Sequence, residues 1–248
     1  MDSYGTAQLP GDRANQCDAT AVWTAPGGTR AYVLLDGVGD TPTVRAWTRT
    51  AARRLARTAA LHADAETALR AERDRYAAEP GRHPDDGSRL PCAAAVVVVH
   101  TPHTPGTPGM GGVLSFAWSG DARAYLLLDG HLRLITEDHN ERRAYEGHGD
   151  RNVLTACLGA GRDDKETEER YGHPAVETVR GPARPGRLLL TSDGAYEPHE
   201  DGDHDLAGYL TGAPRTSARR LVDDAVRRAR TLPDPYADNA TALIAHLT

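Results

Sequence analysis

Apolar residues recur along this chain in two rhythms, and the switches between them outline the elements. Short runs rich in Val, Leu, Thr and Ala stand between Gly, Pro and Asp clusters at 19–24, 30–35, 93–100, 113–119, 124–129, 131–136, 175–180, 187–191 and 241–247, a strand pattern. The Ala/Val run of 93–100 is unbroken by polar residues, which suits a strand buried on both faces. From Thr43 to about Glu79 the chain has no internal Pro or Gly, and Val44, Trp47, Ala51, Leu55 and Thr58 fall at helical spacing behind a capping Thr43. This predicts one long helix or two in succession, with a further helix at 215–230. Asp129-Gly130 is the strongest hairpin signal, making 113–136 a three-strand meander. Strands gathered into hairpins with helices in separate blocks predict an α+β fold of antiparallel sheet covered by helices, in one domain spanning 1–248.

Composition narrows the functional classes. The chain has 248 residues, 39% apolar content and a formal net charge of −6, so it has material for a large core and no electrostatic footprint for nucleic acid. Its longest apolar run, Cys92–Val99, is far shorter than a membrane helix, and the first ten residues lack a leader pattern, so a soluble, cytoplasmic protein is expected. Cys17, Cys92 and Cys157 are widely spaced with no CxxC, which supports neither a disulfide framework nor zinc. Arg45, Arg49 and Arg53 form a basic stripe read as a solvated helix face. His100 and His103 belong to a Pro/Thr loop without an HExxH partner, Gly109–Gly112 lacks the lysine of a phosphate loop, and Ser192 lacks a GxSxG frame.

The candidate chemistry lies in acidic residues at strand ends. Asp18, Asp36, Asp193 and Asp238 each sit in a short segment with small neighbours beside an apolar run, and oxygen ligands converging from distant segments are what a hard divalent cation requires. Each carboxylate alone reads equally as a turn or Asx-cap residue. Taken together and in order, Arg13-Ala14-Asn15-Gln16-Cys17-Asp18, Asp36-Gly37-Val38-Gly39-Asp40, Gly120-Asp121, Ser192-Asp193-Gly194 and Ala237-Asp238-Asn239 resemble the motifs of the metal-dependent protein serine/threonine phosphatases, the PPM or type 2C family, in its bacterial branch. Leu134–His139 and Leu154–Gly159 extend the resemblance over essentially the whole chain.

The resemblance implies a four-layer α-β-β-α sandwich of two antiparallel sheets flanked by helices. It implies hydrolysis of phosphoserine and phosphothreonine by a hydroxide bridging two Mn²⁺ or Mg²⁺ ions, with a third, looser ion in some members. By position, Asp36 would bridge the two ions, the Gly37 carbonyl would ligate one, Asp193 and Asp238 would complete the first site, and Asp121 would serve the third. Asp18 would hold a metal-bound water and Arg13 the substrate phosphate. The partner implied is a phosphorylated protein, the substrate of a bacterial Ser/Thr kinase, acted on by a monomer.

The motifs also depart from the family pattern. The usual Asn-Glu-Asp reads Gln16-Cys17-Asp18, either with Cys17 in place of glutamate or with Asn15-Gln16 as the match and Cys17 inserted. A neutral thiol there would weaken the second ion's site, and Asn239 is a second uncertain neighbour of the metals. Val38 stands where some relatives carry a histidine, leaving no side chain as general acid. Asp40 replaces a glycine, and Glu197 an aspartate outside the inner metal shell. The acidic stretch 197–205 is read as a solvated loop. These departures keep open an alternative, a pseudophosphatase that binds or regulates a partner with little or no activity.

Overall fold

The computed structural model describes residues 3–82, 90–102 and 112–247; His103 and most of the Gly109–Gly112 stretch lie outside them. Ten strands, β1 (Tyr4–Leu9), β2 (Ala19–Thr24), β3 (Arg30–Gly37), β4 (Ala93–Thr101), β5 (Val113–Ser119), β6 (Arg123–Leu128), β7 (His131–Leu134), β8 (Glu177–Pro182), β9 (Gly186–Thr191) and β10 (Ala240–Leu247), form two five-stranded sheets. One runs β1-β10-β9-β6-β7 and the other β2-β3-β4-β5-β8, and every pairing is antiparallel.

Strand alternation separates three cores. In β3, Ala31, Val33 and Leu35 face outward under helices α1 (Pro42–His62) and α2 (Ala65–Ala77), while Tyr32 and Leu34 face the other sheet. In β4 the odd positions Ala95, Val97 and Val99 join the helix side and the even positions Ala94, Val96 and Val98 the inter-sheet side, so both faces are buried and the run carries no polar break. The second sheet mirrors this. Leu188, Leu190 and Leu243 fill the space between the sheets, while Leu189, Ala242 and Ile244 pack under α5 (Asp193–Glu200) and α6 (Pro214–Ala229). The result is helices, sheet, sheet, helices, the layer order expected.

The differences from the sequence reading have local causes. Of the one helix or two expected over Thr43–Glu79, the chain forms two, because Ala63 turns left-handed at φ 53° and Asp64 caps the second by accepting from the Thr67 N–H. The first cap is Thr41, not Thr43, with Pro42 at the first helical position. β1, hidden in a polar start, exists because β10 offers it an edge from Ala240 to Ala245. The meander is not one sheet: β5 belongs to one sheet and β6 and β7 to the other. Two short helices, α3 (Glu141–Ala144) and α4 (Asp164–Tyr171), occupy segments without apolar periodicity; α4 rests on a reciprocal cap between Asp163 and Glu166.

The crossing from β5 to β6 takes place at Gly120, with φ +115°. A Cβ there would stand 2.4 Å from the Cβ of Ala94 on neighbouring β4, so only glycine lets the chain leave β5 across Ala94 at this corner. Gly120→Ala is expected to destabilise the fold by about 2 kcal/mol or more, combining left-handed strain with overpacking. A urea midpoint equal to that of the parent would refute this account of the corner.

Candidate active site

Strand ends place the acidic residues. Asp36 closes β3, Asp193 opens α5 directly after β9, Asp238 precedes β10, and Asp121 follows the Gly120 corner. All four line one cavity of about 1200 Å³, together with Arg13, Gly37, Val38, Arg151, Glu197 and Tyr236. Asp18 lies below this floor, 1% exposed, and is not among the lining residues. Both glycines of the Asp-Gly pairs are steric necessities. A Cβ on Gly37 would meet the Cys17 carbonyl at 2.4 Å, and one on Gly194 the Asn239 carbonyl at 2.4 Å.

The segment 10–17 is fastened to the cavity by side chains that the sequence reading undervalued. Asn239 accepts from the Cys17 N–H (2.6 Å) and donates to the carbonyls of Pro10 (2.9 Å) and Asn15 (3.0 Å), tying the segment to β10. Asp40 accepts from the backbone N–H groups of Ala14 (2.8 Å) and Asn15 (2.6 Å), so the residue in place of a glycine holds this segment. Those bonds, the Ala14 N–H first, hold the Asp40 carboxyl below its ordinary range. Cys17 is fully buried, its sulfur against the Thr41 carbonyl (3.6 Å), and burial pushes its thiol upward.

Electrostatically the site is overloaded. Burial first, and then repulsion from neighbouring carboxylates, pushes Asp36, Asp121 and Asp193 above the ordinary carboxylate range and Asp18 up to about 8. Both oxygens of Asp18 are buried without a hydrogen-bond partner; the Ser192 and Thr241 hydroxyls ease its charge from nearby without normal bonding geometry. The Asp193 N–H points to Asp36 Oδ2 at 3.4 Å. Arg13 Nη2 bonds Asp238 Oδ2 at 2.6 Å, while Arg13 Nε is buried with no partner. Among the described residues no three His, Cys, Asp or Glu side chains are drawn onto a common point as a ready ligand cluster. Asp36 and Asp193 nonetheless lie within interaction distance of each other on the cavity floor.

Two further cavity residues are Arg151, which had no distinctive sequence signal, and Glu197, which stands at a motif position. Arg151, in the connection between α3 and α4, makes a paired contact with Asp201 (2.7 and 2.8 Å) and reaches Glu197 at 3.1 Å. Glu197 therefore belongs to α5 and the cavity wall rather than to a solvated loop, and burial with repulsion from Asp193 pushes it up to about 8. Behind the wall, His139 bonds Glu177 at 2.9 Å and Arg143 grips the same carboxylate. Although burial opposes it, these partners bring Glu177 down to about 2.

No family model and no curated protein matches the sequence. Solved structures do. The PPM Ser-Thr phosphatase MsPP from Mycobacterium smegmatis, in complex with cacodylate, is 23% identical with a TM-score of 0.69, covering 99% of this chain and 98% of its own. PppA, described as a key regulatory component of T6SS in Pseudomonas aeruginosa, is 22% identical with a TM-score of 0.68 over 99% and 97%. The serine/threonine phosphatase Stp1 from Staphylococcus aureus is 17% identical with a TM-score of 0.71 over 100% and 96%. The resemblance read from the motifs thus holds at the level of fold: this chain has the architecture of the PPM serine/threonine phosphatases, over nearly its whole length. Among the described residues no helix is long and apolar enough to cross a membrane.

The raised carboxyls set a pH dependence of stability. Groups whose folded pKa exceeds the unfolded value bind extra protons in the folded state, so stability falls as pH rises from the ordinary carboxylate range to about 8. The carboxyls held low, Asp12, Asp40, Glu177, Asp201 and Asp224, lose their contribution only below that window. In chelator the melting temperature is expected to climb as pH is lowered from about 8 to about 7, above the range in which the buried His139, His173 and His199, held low, begin to oppose it, and to climb less in Asp36→Asn. A melting temperature that drops over this interval would contradict the crowded-carboxylate description.

Proposed function

We propose that this chain is a Mn²⁺- or Mg²⁺-dependent phosphatase acting on phosphoserine and phosphothreonine in proteins. The single observation that carries the proposal is the set of buried, mutually repelling carboxylates in one cavity, with both Asp18 oxygens unbonded. Such a set is costly on its own and becomes favourable when cations enter. Asp36, the Gly37 carbonyl, Asp193 and Asp238 would hold two ions, and Asp121 a looser third. When bound, the ions lower the pKa of water and neutralise charge developing on phosphoryl oxygens.

The remaining roles belong to side chains. Arg13 would take the substrate phosphate: it lines the cavity with its Nη2 on Asp238, and its fork of guanidinium donors suits phosphate oxygens. Asp18 would orient water from beneath the floor. Asn239 and Asp40 hold the Arg13 segment in register, so their part is positioning. Val38 offers no proton at the cavity mouth, and the leaving alkoxide would take its proton from water.

Two observations favour the second reading, a regulatory or binding module with this fold. The Arg13 to Asp238 bond engages a phosphate ligand with a metal ligand, and the carboxylates are not gathered on one point. Turnover of p-nitrophenyl phosphate with excess Mn²⁺ separates the readings. Asp36→Asn and Asp193→Asn are each expected to lower it by roughly a hundredfold or more while circular dichroism stays that of the parent. Activity retained in both variants would end the phosphatase proposal. Calorimetric Mn²⁺ binding without turnover in the parent would favour the regulatory module.

A further inference from the structure

Two cysteines outside the proposed chemistry meet in the cavity wall. Ala93 and Leu158 form an isolated antiparallel bridge, exchanging N–H to carbonyl bonds of 3.0 and 2.9 Å. Both of their side chains are fully buried in the core beneath α1 and α2. Their chain neighbours Cys92 and Cys157 therefore project from the opposite face of the bridge, and both line the carboxylate cavity. There the two free thiols lie diagonally across the bridge, within each other's electrostatic reach.

The surroundings favour reaction at Cys92. It is partly exposed, whereas Cys157 is 9% exposed. The Arg82 guanidinium, only 2% exposed, bonds the Pro91 carbonyl and reaches the Gly159 carbonyl at 3.4 Å, so one cation braces the segments carrying both cysteines. Interaction with Cys157, and more weakly with Arg82, lowers the Cys92 thiol against the opposing effect of burial. The more exposed Cys92 sulfur is the one an oxidant meets first, and the buried Cys157 is placed to resolve.

We infer that Cys92 and Cys157 are a disulfide-forming pair, a modification site in the cavity wall that takes a hydroperoxide as its oxidant. The Cys92 thiolate attacks one peroxide oxygen, forming an S–O bond and breaking O–O, with hydroxide leaving in the case of hydrogen peroxide. The Cys157 sulfur then attacks the sulfenic sulfur, S–S forms, S–O breaks, and water leaves. In sum, two thiols and one hydrogen peroxide give one disulfide and two waters; a dithiol reverses the change by exchange.

The bond would move the cavity wall. Cys92 and Cys157 are diagonal across the bridge, a relation that sets such positions about 7–8 Å apart, whereas a disulfide spans about 4.4–6.8 Å between Cα atoms. Closing it draws the head of β4 and the 151–159 segment together by about 1 Å. Arg151, Asn152, Val153 and Leu154 line the cavity from that segment, so oxidation reshapes the wall of the site.

The test treats the folded full-length chain with hydrogen peroxide, alkylates remaining thiols and maps peptides with and without dithiothreitol. A reducible cross-link joining the Cys92 and Cys157 peptides, absent from Cys92→Ser and from Cys157→Ala, is expected. Both thiols remaining alkylatable, Cys92 passing to a sulfinic acid with Cys157 still free, or a cross-link through Cys17 would overturn the pairing. Cys92→Ser, at the half-exposed position, keeps the control valid should the buried substitution unfold. This mapping needs no phosphatase activity, so it stands or falls apart from the proposed function. Where the reduced chain is active, the cross-linked form is expected to lose roughly tenfold to a hundredfold of its turnover, restored by dithiothreitol. Unchanged turnover would reject the coupling of this site to the cavity.

Discussion

Like charges held together in a buried place govern this structure. Asp36, Asp121, Asp193 and Asp18 come from four separate segments, and each is pushed toward its protonated form by burial and then by the others. A fold keeps such a feature only if the surrounding structure over-determines it. Here the over-determination is visible. Two sheets pack through an inter-sheet core of Tyr32, Val96, Phe116, Leu190 and Leu243; β3, β5 and β9 lead from it into Asp36, Asp121 and Asp193, and β10 starts just after Asp238. The apolar interior fixes the strand ends, and the strand ends fix the charges.

Around that centre, the polar contacts that matter are backbone contacts. Asn239 and Asp40 do not reach the cavity as reactive groups; they hold the Arg13-bearing segment by its N–H and carbonyl groups. Asp12 does the same at the other end, accepting from the Ala237 N–H and pairing with Arg230. Because an irregular segment with buried peptide groups is tolerated only when those groups are satisfied, these side chains set where the Arg13 guanidinium can stand.

Much of this was legible in the residues, and what was not has an identifiable cause. The buried strand 93–101, the Asp-Gly strand ends and the long Ala/Arg block announce themselves because local pattern and tertiary burial agree. β1 and α4 do not. β1 is ordered by pairing with a strand more than two hundred residues away in sequence, and α4 by its reciprocal cap, neither of which leaves a hydrophobic period. The same holds at the site. The carboxylates were readable from their Asp-Gly and Asp-Asn contexts, but Arg151 and Glu197 enter the cavity through a connection and a helix whose placement only the fold supplies. Asp40 looked like a tolerated exchange for glycine because its partners are backbone groups of residues 14 and 15, and a one-dimensional reading cannot pair them.

The position of β10 has a consequence for how the molecule comes into being. It lies between β1 and β9, in the middle of its sheet, although it is the last strand of the ten. During synthesis β1 has no neighbour to join, and the Asn239 side chain that fastens the Arg13 segment has not yet emerged. Asp36, Asp121 and Asp193 come from segments that precede β10, so what depends on this last strand is the pairing of β1 and the fastening of the Arg13 segment.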